Sequence, residues 1–382
     1  MKPLNNTVTK IQESIFSTMT KMANEYKAIN LSQGFPDFDG PKWAIDLMKC
    51  ALDQGEFGKN QYAPSMGLLD LRQAISENYR DFYQLDYDPQ TEILVTNGAT
   101  EALFCTAMAV LNPGDEVIVL EPFYDSYKAA IELAGGIIVP VTLKAPEFKY
   151  DIEELKSAIT SKTKMLFLNN PHNPSGKMYD RDELMELADL ANTHDFYVVS
   201  DEVYEHLIYT KPHIPFATLP DMKERTITIS STGKTFGFTG WKIGWAAAPT
   251  QLIKAIHNVH QFNVFCVHHP TQVAMSNALK RLGSYRLELQ QIYGEKREIL
   301  LTGLRQRGFK VIEPDGAYFI LAKLDEEEND VETCKILIVD QKVATIPVSA
   351  FYLKSDEGKK LIRFCFAKKN ETLLHALNNL ES

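Results

Sequence analysis

The hydrophobic pattern changes its period twice along this chain. Near the start, Ile11, Ile15, Phe16, Met19 and Met22 fall at helical spacing and predict an amphipathic helix over residues 11–29. From about residue 93 short apolar runs take over, at 92–96, 116–120, 136–141, 164–168, 196–200 and 226–229, with 244–248 as a further candidate. They are rich in Val and Ile, which suits strands, and helical stretches such as 102–111 separate them. Continuous apolar runs of that length read as strands buried on both faces, and their alternation with helices predicts βαβ units in a mostly parallel sheet. After about residue 275 the texture shifts again. A long helix is predicted over 279–304, strands around Val311 and over 318–321 and 362–366, and a closing helix over 371–380. The fold class is therefore α/β. We expect a large domain over 46–275, its central sheet sandwiched by helices, and a smaller α+β domain built from both chain ends, 1–45 and 276–382.

In parallel sheets ligands bind beyond the carboxyl ends of the strands. Here those ends carry a complementary set: Gly98-Ala99-Thr100, Tyr124, Asn173, Asp201 with Tyr204, and Ser231 with Lys234. Any one alone has a plain structural reading; Asp201, for instance, could simply cap the next helix. The stretch around Lys234 is the most telling. Small residues Ser230 to Gly233 follow a β-branched run and let the backbone approach an anion closely. Lys234, walled by Phe236 and Phe238, is placed to be desolvated and to attack a carbonyl as a neutral amine. Gly233-Lys234-Thr235 also ends the phosphate loop of nucleotide hydrolases, but that loop needs a glycine five residues earlier, where this chain has Thr228.

Composition narrows the partners. A net charge of -10 without a basic block argues against nucleic acid or an anionic membrane. No apolar run approaches the ~18 residues of a membrane span, and the first residues lack a signal peptide's apolar core. The five cysteines, odd in number and mostly inside apolar segments, read as free thiols of a reducing cytoplasm. Cys266-Val267-His268-His269 could suggest a metal, but adjacent histidines point in different directions, so no metal is expected.

The strand-end groups fit a flat, anionic, aldehyde-bearing ring. Lys234 supplies an amine for an imine, and Asp201 a partner for a protonated ring nitrogen. Asn173 and Tyr204 can donate to a ring oxyanion, and Tyr124 can stack on the ring. Ala99 and Thr100 offer donors at a helix N-terminus, where phosphate is favoured. Together these needs describe pyridoxal 5′-phosphate. The chain resembles the class I/II aminotransferases of fold type I, through 30–38 (NLSQGFPDF), 170–176 (NPHNPSG), 231–234 (STGK) and 362–366 (IRFCF). It is most similar to the branch of kynurenine/glutamine and methionine aminotransferases.

That resemblance implies roles. Lys234 would form the imine and later carry the proton, Asp201 bind the pyridine nitrogen, Asn173 and Tyr204 the ring oxygen, and Tyr124 stack. Ala99, Thr100 and Ser231 would hold the phosphate. Many members place an arginine on the phosphate eight residues after the lysine; this chain has Lys242, as the kynurenine-like branch does, keeping the charge without the bidentate fork. Tyr62 would reach the cofactor phosphate of the neighbouring subunit, which implies a homodimer. Arg363 would clamp the substrate α-carboxylate, a task that suits its bidentate fork, with Gly34, Asn173, Phe16 and Tyr62 also at the substrate.

The expected reaction is a ping-pong exchange between an amino acid and a 2-oxo acid. The candidate side-chain pocket (Phe16, Phe35, Tyr62, Tyr124, with Phe262 to Phe265 from the partner subunit) is apolar or aromatic. It suits methionine, phenylalanine, tyrosine, glutamine or kynurenine better than aspartate. A carbon–sulfur β-lyase on the same scaffold is the alternative. A non-catalytic cofactor-sensing regulator is remote, since the residues before Gln33 are too few and not basic enough for a DNA-binding domain.

Overall fold

A computed structural model describes residues 2–11, 13–53 and 60–380 of the chain. Among these, seven strands form the central sheet: β1 (Ile93–Asn97), β2 (Glu116–Glu121), β3 (Ile137–Thr142), β4 (Thr163–Asn169), β5 (Tyr197–Asp201), β6 (Thr226–Ser231) and β7 (Ile243–Ala247), in spatial order β1-β7-β6-β5-β4-β2-β3. Pairing is parallel from β3 through β2, β4 and β5 to β6, while β7 runs against both of its neighbours.

Strict alternation of side chains divides each strand between two cores. Ile93 and Val95, Ile118 and Leu120, and Leu166 and Leu168 join one apolar cluster. Leu94, Val117 and Val119, and Met165 and Phe167 join the other. Both faces are thus apolar, which is why these strands read as unbroken hydrophobic runs. Helices Leu69–Tyr83, Arg181–His194 and His269–Leu279 bury their apolar stripes in the first cluster. Helices Ala99–Val110, Ser126–Leu133 and Thr250–Asn263 bury theirs in the second. Each fully buried Leu, Ile or Val contributes roughly 1.5–3 kcal/mol, so a one-residue slip in register would cost many side chains at once.

The C-terminal strands make a second, antiparallel sheet in the order Ile346–Pro347, Leu361–Cys365, Phe319–Lys323, Lys310–Ile312. The two chain ends meet where Ile29–Asn30 pairs in parallel with Val343–Ala344. Several predicted boundaries move. The first helix covers only Ile15–Glu25: Ser14 caps it by accepting from the Phe16 N–H, and Lys27 at φ 53° breaks it. The long helix is Leu282–Gln306, and a separate helix, His269–Leu279, ends just before it. Asp330–Val339 is a helix the pattern did not suggest, capped by the Asn329 side chain.

One buried carboxylate ties the end of β2 to the loop at 353–355, which precedes the strand Leu361–Cys365. Glu121, fully buried at the end of β2, accepts from the backbone N–H groups of Leu353 (2.7 Å), Lys354 (3.0 Å) and Ser355 (2.9 Å) and from the Thr142 hydroxyl (3.0 Å). Removing such an acceptor strands several donors, each costing roughly 1–3 kcal/mol. Glu121→Ala should therefore destabilise the apoprotein by about 3 kcal/mol or more in urea unfolding, and Glu121→Gln by less. An unchanged midpoint for the alanine variant would show that water can replace the carboxylate.

Candidate active site

The parallel strands deliver their carboxyl ends to one edge of the sheet, and the reversed β7 delivers its amino end to the same edge. Lys242 therefore arrives directly before β7, beside Ser231 and Lys234 from beyond β6; Asn97 pairs with Ile243 and Ser231 with Gly244. A cavity of about 1090 Å³ opens there. Of the expected residues, Phe16, Gly34, Ala99, Thr100, Tyr124, Asn173, Asp201, Tyr204, Ser231, Lys234, Lys242 and Arg363 all line it, as does Phe35.

Two glycines shape one end. Gly98, at φ 77°, precedes the helix Ala99–Val110, and no side chain caps that terminus. A β-carbon at Gly98 would sit 2.9 Å from the Lys242 Nζ; one at Gly244 would meet the Ala99 nitrogen at 2.5 Å. The result is a cradle of free helix N–H groups, the Ser231 hydroxyl and an ammonium group, the donor set that a phosphate needs.

The middle of the cavity holds two perturbed groups. Burial pushes the Asp201 carboxyl up to about 6, opposed by the Tyr127 hydroxyl, the Val203 N–H and the Lys234 charge. Tyr127 donates to Asp201 Oδ2 at 2.6 Å. Burial also lowers Lys234 to about 8, and the Arg363 and Lys242 charges act in the same sense, against Asp201. The Lys234 ammonium opens on the cavity and donates to the Tyr318 hydroxyl (2.8 Å) and the Gly34 carbonyl (3.1 Å). Tyr204 packs edge-on against Tyr318, and burial raises its phenol pKa.

Arg363, on the central strand Leu361–Cys365, is completely buried. Its Nη1 donates to Asn173 Oδ1 at 2.6 Å and its Nη2 to the Ser32 carbonyl at 2.8 Å. Its Nε is buried without a partner. The guanidinium lies 4.0 Å from the Phe319 ring centroid and within 5.3 Å of those of Phe351 and Phe16. Burial lowers its pKa to about 10, which leaves it cationic at neutral pH. Because Asn173 accepts from Arg363, its amide NH2 remains as a donor.

Three expected aromatic residues, Tyr62, Phe262 and Phe265, lie elsewhere. Tyr62 is 80% exposed and packs against Phe265 outside the cavity; Phe262 is 88% exposed. His268 and His269 bond to Thr271 and the Gln61 carbonyl, and no metal-binding cluster occurs among the described residues. Sequence reasoning missed Tyr127 and Tyr318. Tyr318 opens an apolar run and Tyr127 sits between Ser126 and Lys128 at the start of a helix, and in neither place does a tyrosine carry a signal of its own.

The residues present fit pyridoxal phosphate: a phosphate cradle, a carboxylate for a pyridine nitrogen, donors for a ring oxygen and an amine of lowered pKa converge on one cavity. Comparison with known proteins agrees. The family model for aminotransferase class I and II matches residues 26–380. A methionine aminotransferase of Escherichia coli is 39% identical over 96% of this chain and 95% of its own length. A kynurenine–oxoglutarate transaminase of Dictyostelium discoideum is 40% identical, over 96% and 93%. The structure of an N-succinyldiaminopimelate aminotransferase from Mycobacterium tuberculosis superimposes with a TM-score of 0.94 at 37% identity, covering 99% of each chain. The chain belongs to the class I and II aminotransferases, transferases that work with pyridoxal phosphate.

Proposed function

We propose that this aminotransferase takes the amino group of an apolar, sulfur-containing or aromatic L-amino acid (methionine, phenylalanine, tyrosine, glutamine or kynurenine) and passes it to a 2-oxo acid in a ping-pong reaction. One observation carries the substrate reading. Past Arg363, the cavity wall is built from Ile15, Phe16, Phe35 and Phe319, and the remaining cation, Lys128, is already paired with Glu132 at 2.6 Å. Arg363 is committed to the α-carboxylate, so a second, distal carboxylate would lack a free cation. The relatives named for methionine and kynurenine support the same class.

Within this reading each side chain has a task. Arg363 fixes the substrate carboxylate, with the Asn173 amide beside it, and so fixes where the Cα–H bond points. Gly34 keeps the floor open, since a β-carbon there would meet the Phe319 ring at 3.1 Å. Ala99, Thr100, Ser231 and Lys242 hold the phosphate; Tyr124 covers the ring face; Asn173 and Tyr204 donate to the ring oxygen; Asp201 binds the ring nitrogen. Bound there, pyridoxal phosphate supplies an electron sink for the charge that develops at the substrate Cα. The Lys234 Nζ is the base for the Cα proton. At a pKa of about 8 it is neutral in about a quarter of molecules at pH 7.5, against about one in a thousand for an ordinary lysine.

Three further parts belong to this proposal. The exposed Tyr62, Phe262 and Phe265 form an aromatic face that suits a second copy of the chain, with Tyr62 reaching the partner's phosphate site. The pairing of Ile29–Asn30 with Val343–Ala344 supports a small domain of 1–45 and 276–382 beside a large one of 46–275. No helix among the described residues is long and apolar enough to cross a membrane. The five free thiols, three of them buried, fit a reducing cytoplasm.

Three measurements test the proposal. In a panel of amino donors and 2-oxo acids, methionine and the aromatic donors should exceed aspartate in kcat/KM by about 100-fold, and Arg363→Lys should lower every substrate by about 100-fold or more. Preference for aspartate would overturn the substrate reading, and pyruvate released from cystathionine without a 2-oxo acid would mark a β-lyase. The panel should include long, N-acylated donors, given the succinyldiaminopimelate relative. Second, transamination should rise with pH through about 8 as Lys234 loses its proton, and Lys234→Ala should abolish it; a residual pH-dependent rate in that variant would assign the base elsewhere. Third, light scattering should give about twice the 43.2 kDa chain mass, and a monomeric mass at assay concentration would remove Tyr62 from the site.

A further inference from the structure

Tyr127 lies outside every motif that marks the site, and among the described residues its hydroxyl bonds to Asp201 alone. Its side chain is 1% exposed and its ring is held on three sides: stacked on Phe123 at 6.3 Å, edge-on to Tyr124 at 5.9 Å, and tilted against Phe167 at 5.2 Å. That packing fixes the direction of a single O–H, which donates to Asp201 Oδ2 at 2.6 Å. The other donor to this carboxylate is the backbone N–H of Val203, a longer contact of 3.4 Å to Oδ1. Tyr124, in the loop just before the helix Ser126–Leu133, lines the cavity, and Tyr127, in the first turn of that helix, lies behind it, so one loop-to-helix junction supplies both a wall of the ring site and a support for its carboxylate.

We infer that Tyr127 is the positioning residue of the ring-nitrogen site: its phenol keeps the Asp201 carboxylate ionised and oriented toward the cofactor's pyridine nitrogen. This rests on the assignment of Asp201 made above. The charged and titratable groups facing Asp201 are the phenols of Tyr127, Tyr124 and Tyr204, the Lys234 ammonium and the neighbouring Glu202 carboxylate. Burial and Glu202 both push a proton onto Asp201. Lys234 opposes them only while it is charged, and the reaction needs it neutral. Tyr127 opposes them at every working pH, because burial raises its own pKa well above the ordinary phenol value and it keeps its proton. A hydrogen bond to an ionised acceptor is among the stronger ones available to a side chain. Without it Asp201 becomes more basic, and the proton shared with the ring nitrogen shifts toward the carboxyl, which weakens the ring as an electron sink.

The test uses the full-length apoprotein and pyridoxine 5′-phosphate, an analogue with an alcohol in place of the aldehyde, so that Lys234 forms no bond to it. Binding is followed by calorimetry from pH 5.5 to 9 for the wild type, Tyr127→Phe and Asp201→Asn. The phenylalanine variant keeps the packing and loses only the donor. We expect its affinity to fall about eightfold at pH 5.5 and about twofold at pH 7, and to recover by pH 9, because the midpoint of the binding-versus-pH curve moves up by about one unit from the Asp201 value of about 6. A Tyr127→Phe curve that superimposes on the wild type while Asp201→Asn binds weakly would overturn the inference and leave Tyr127 as packing. If Asp201→Asn also superimposes, the assignment of Asp201 itself falls. Should Tyr127→Phe fail to fold, 3-fluorotyrosine placed at position 127 is a stronger donor of nearly the same shape and should move the midpoint down; no movement would overturn the inference.

Discussion

Arg363 occupies the central strand of the smaller sheet with apolar neighbours on both sides, and burying an unpaired guanidinium costs several kcal/mol. The chain meets that cost with neutral partners: the Asn173 side-chain carbonyl, the Ser32 backbone carbonyl and three aromatic faces. Satisfying one side chain therefore draws together the loop after β4, the loop that follows the first helix, and the helix itself through Phe16. The charge remains uncompensated, and that residual demand for an anion fits the proposed role of Arg363 at a substrate carboxylate. Asn173 is set by the same arrangement, since giving its oxygen to Arg363 leaves its amide hydrogens for a ligand.

The rest of the cavity repeats this electrostatic logic. Lys234, Lys242 and Arg363 face a common space, and their mutual repulsion helps to keep the catalytic amine poorly basic. In the proposed reading, a phosphate at one end and a carboxylate at the other relieve that repulsion, which couples ligand binding to protein stability through mass action. The reversed direction of β7 is what brings Lys242 into the group. A parallel strand would have put it at the opposite edge of the sheet.

The strands of the large sheet were legible in the sequence because helices cover both faces, so Val117 to Leu120 or Met165 to Leu168 read as unbroken apolar runs. The strand-end chemistry was legible for a related reason: polar residues that follow a buried run sit at the edge where ligands bind. Tyr127 and Tyr318 were not, because a tyrosine looks like ordinary packing until its hydroxyl partner is known, and that partner is 74 residues away in one case and 84 in the other. The ends of the first helix were misjudged where a local device outweighed periodicity: Ile11 keeps the spacing, but the Ser14 cap starts the helix after it and the left-handed Lys27 closes it. The helix Asp330–Val339 has little amphipathic pattern, being apolar on much of its surface, and only its Asn329 cap announced it.

The first eighteen or so residues contribute Ile11, Glu13, Ser14, Ile15, Phe16 and Thr18 to the cavity, whereas the groups placed at the cofactor come from residues 98–242. Ser14 is tied to the far wall by a 2.9 Å hydrogen bond to Asp125. Part of the proposed donor-side wall is thus carried by one short leading segment, apart from the stretch that carries the proposed cofactor groups. Substitutions at Ile11, Ile15 or Thr18 leave those groups' own residues unchanged, which makes the leading segment a natural cassette for laboratory evolution.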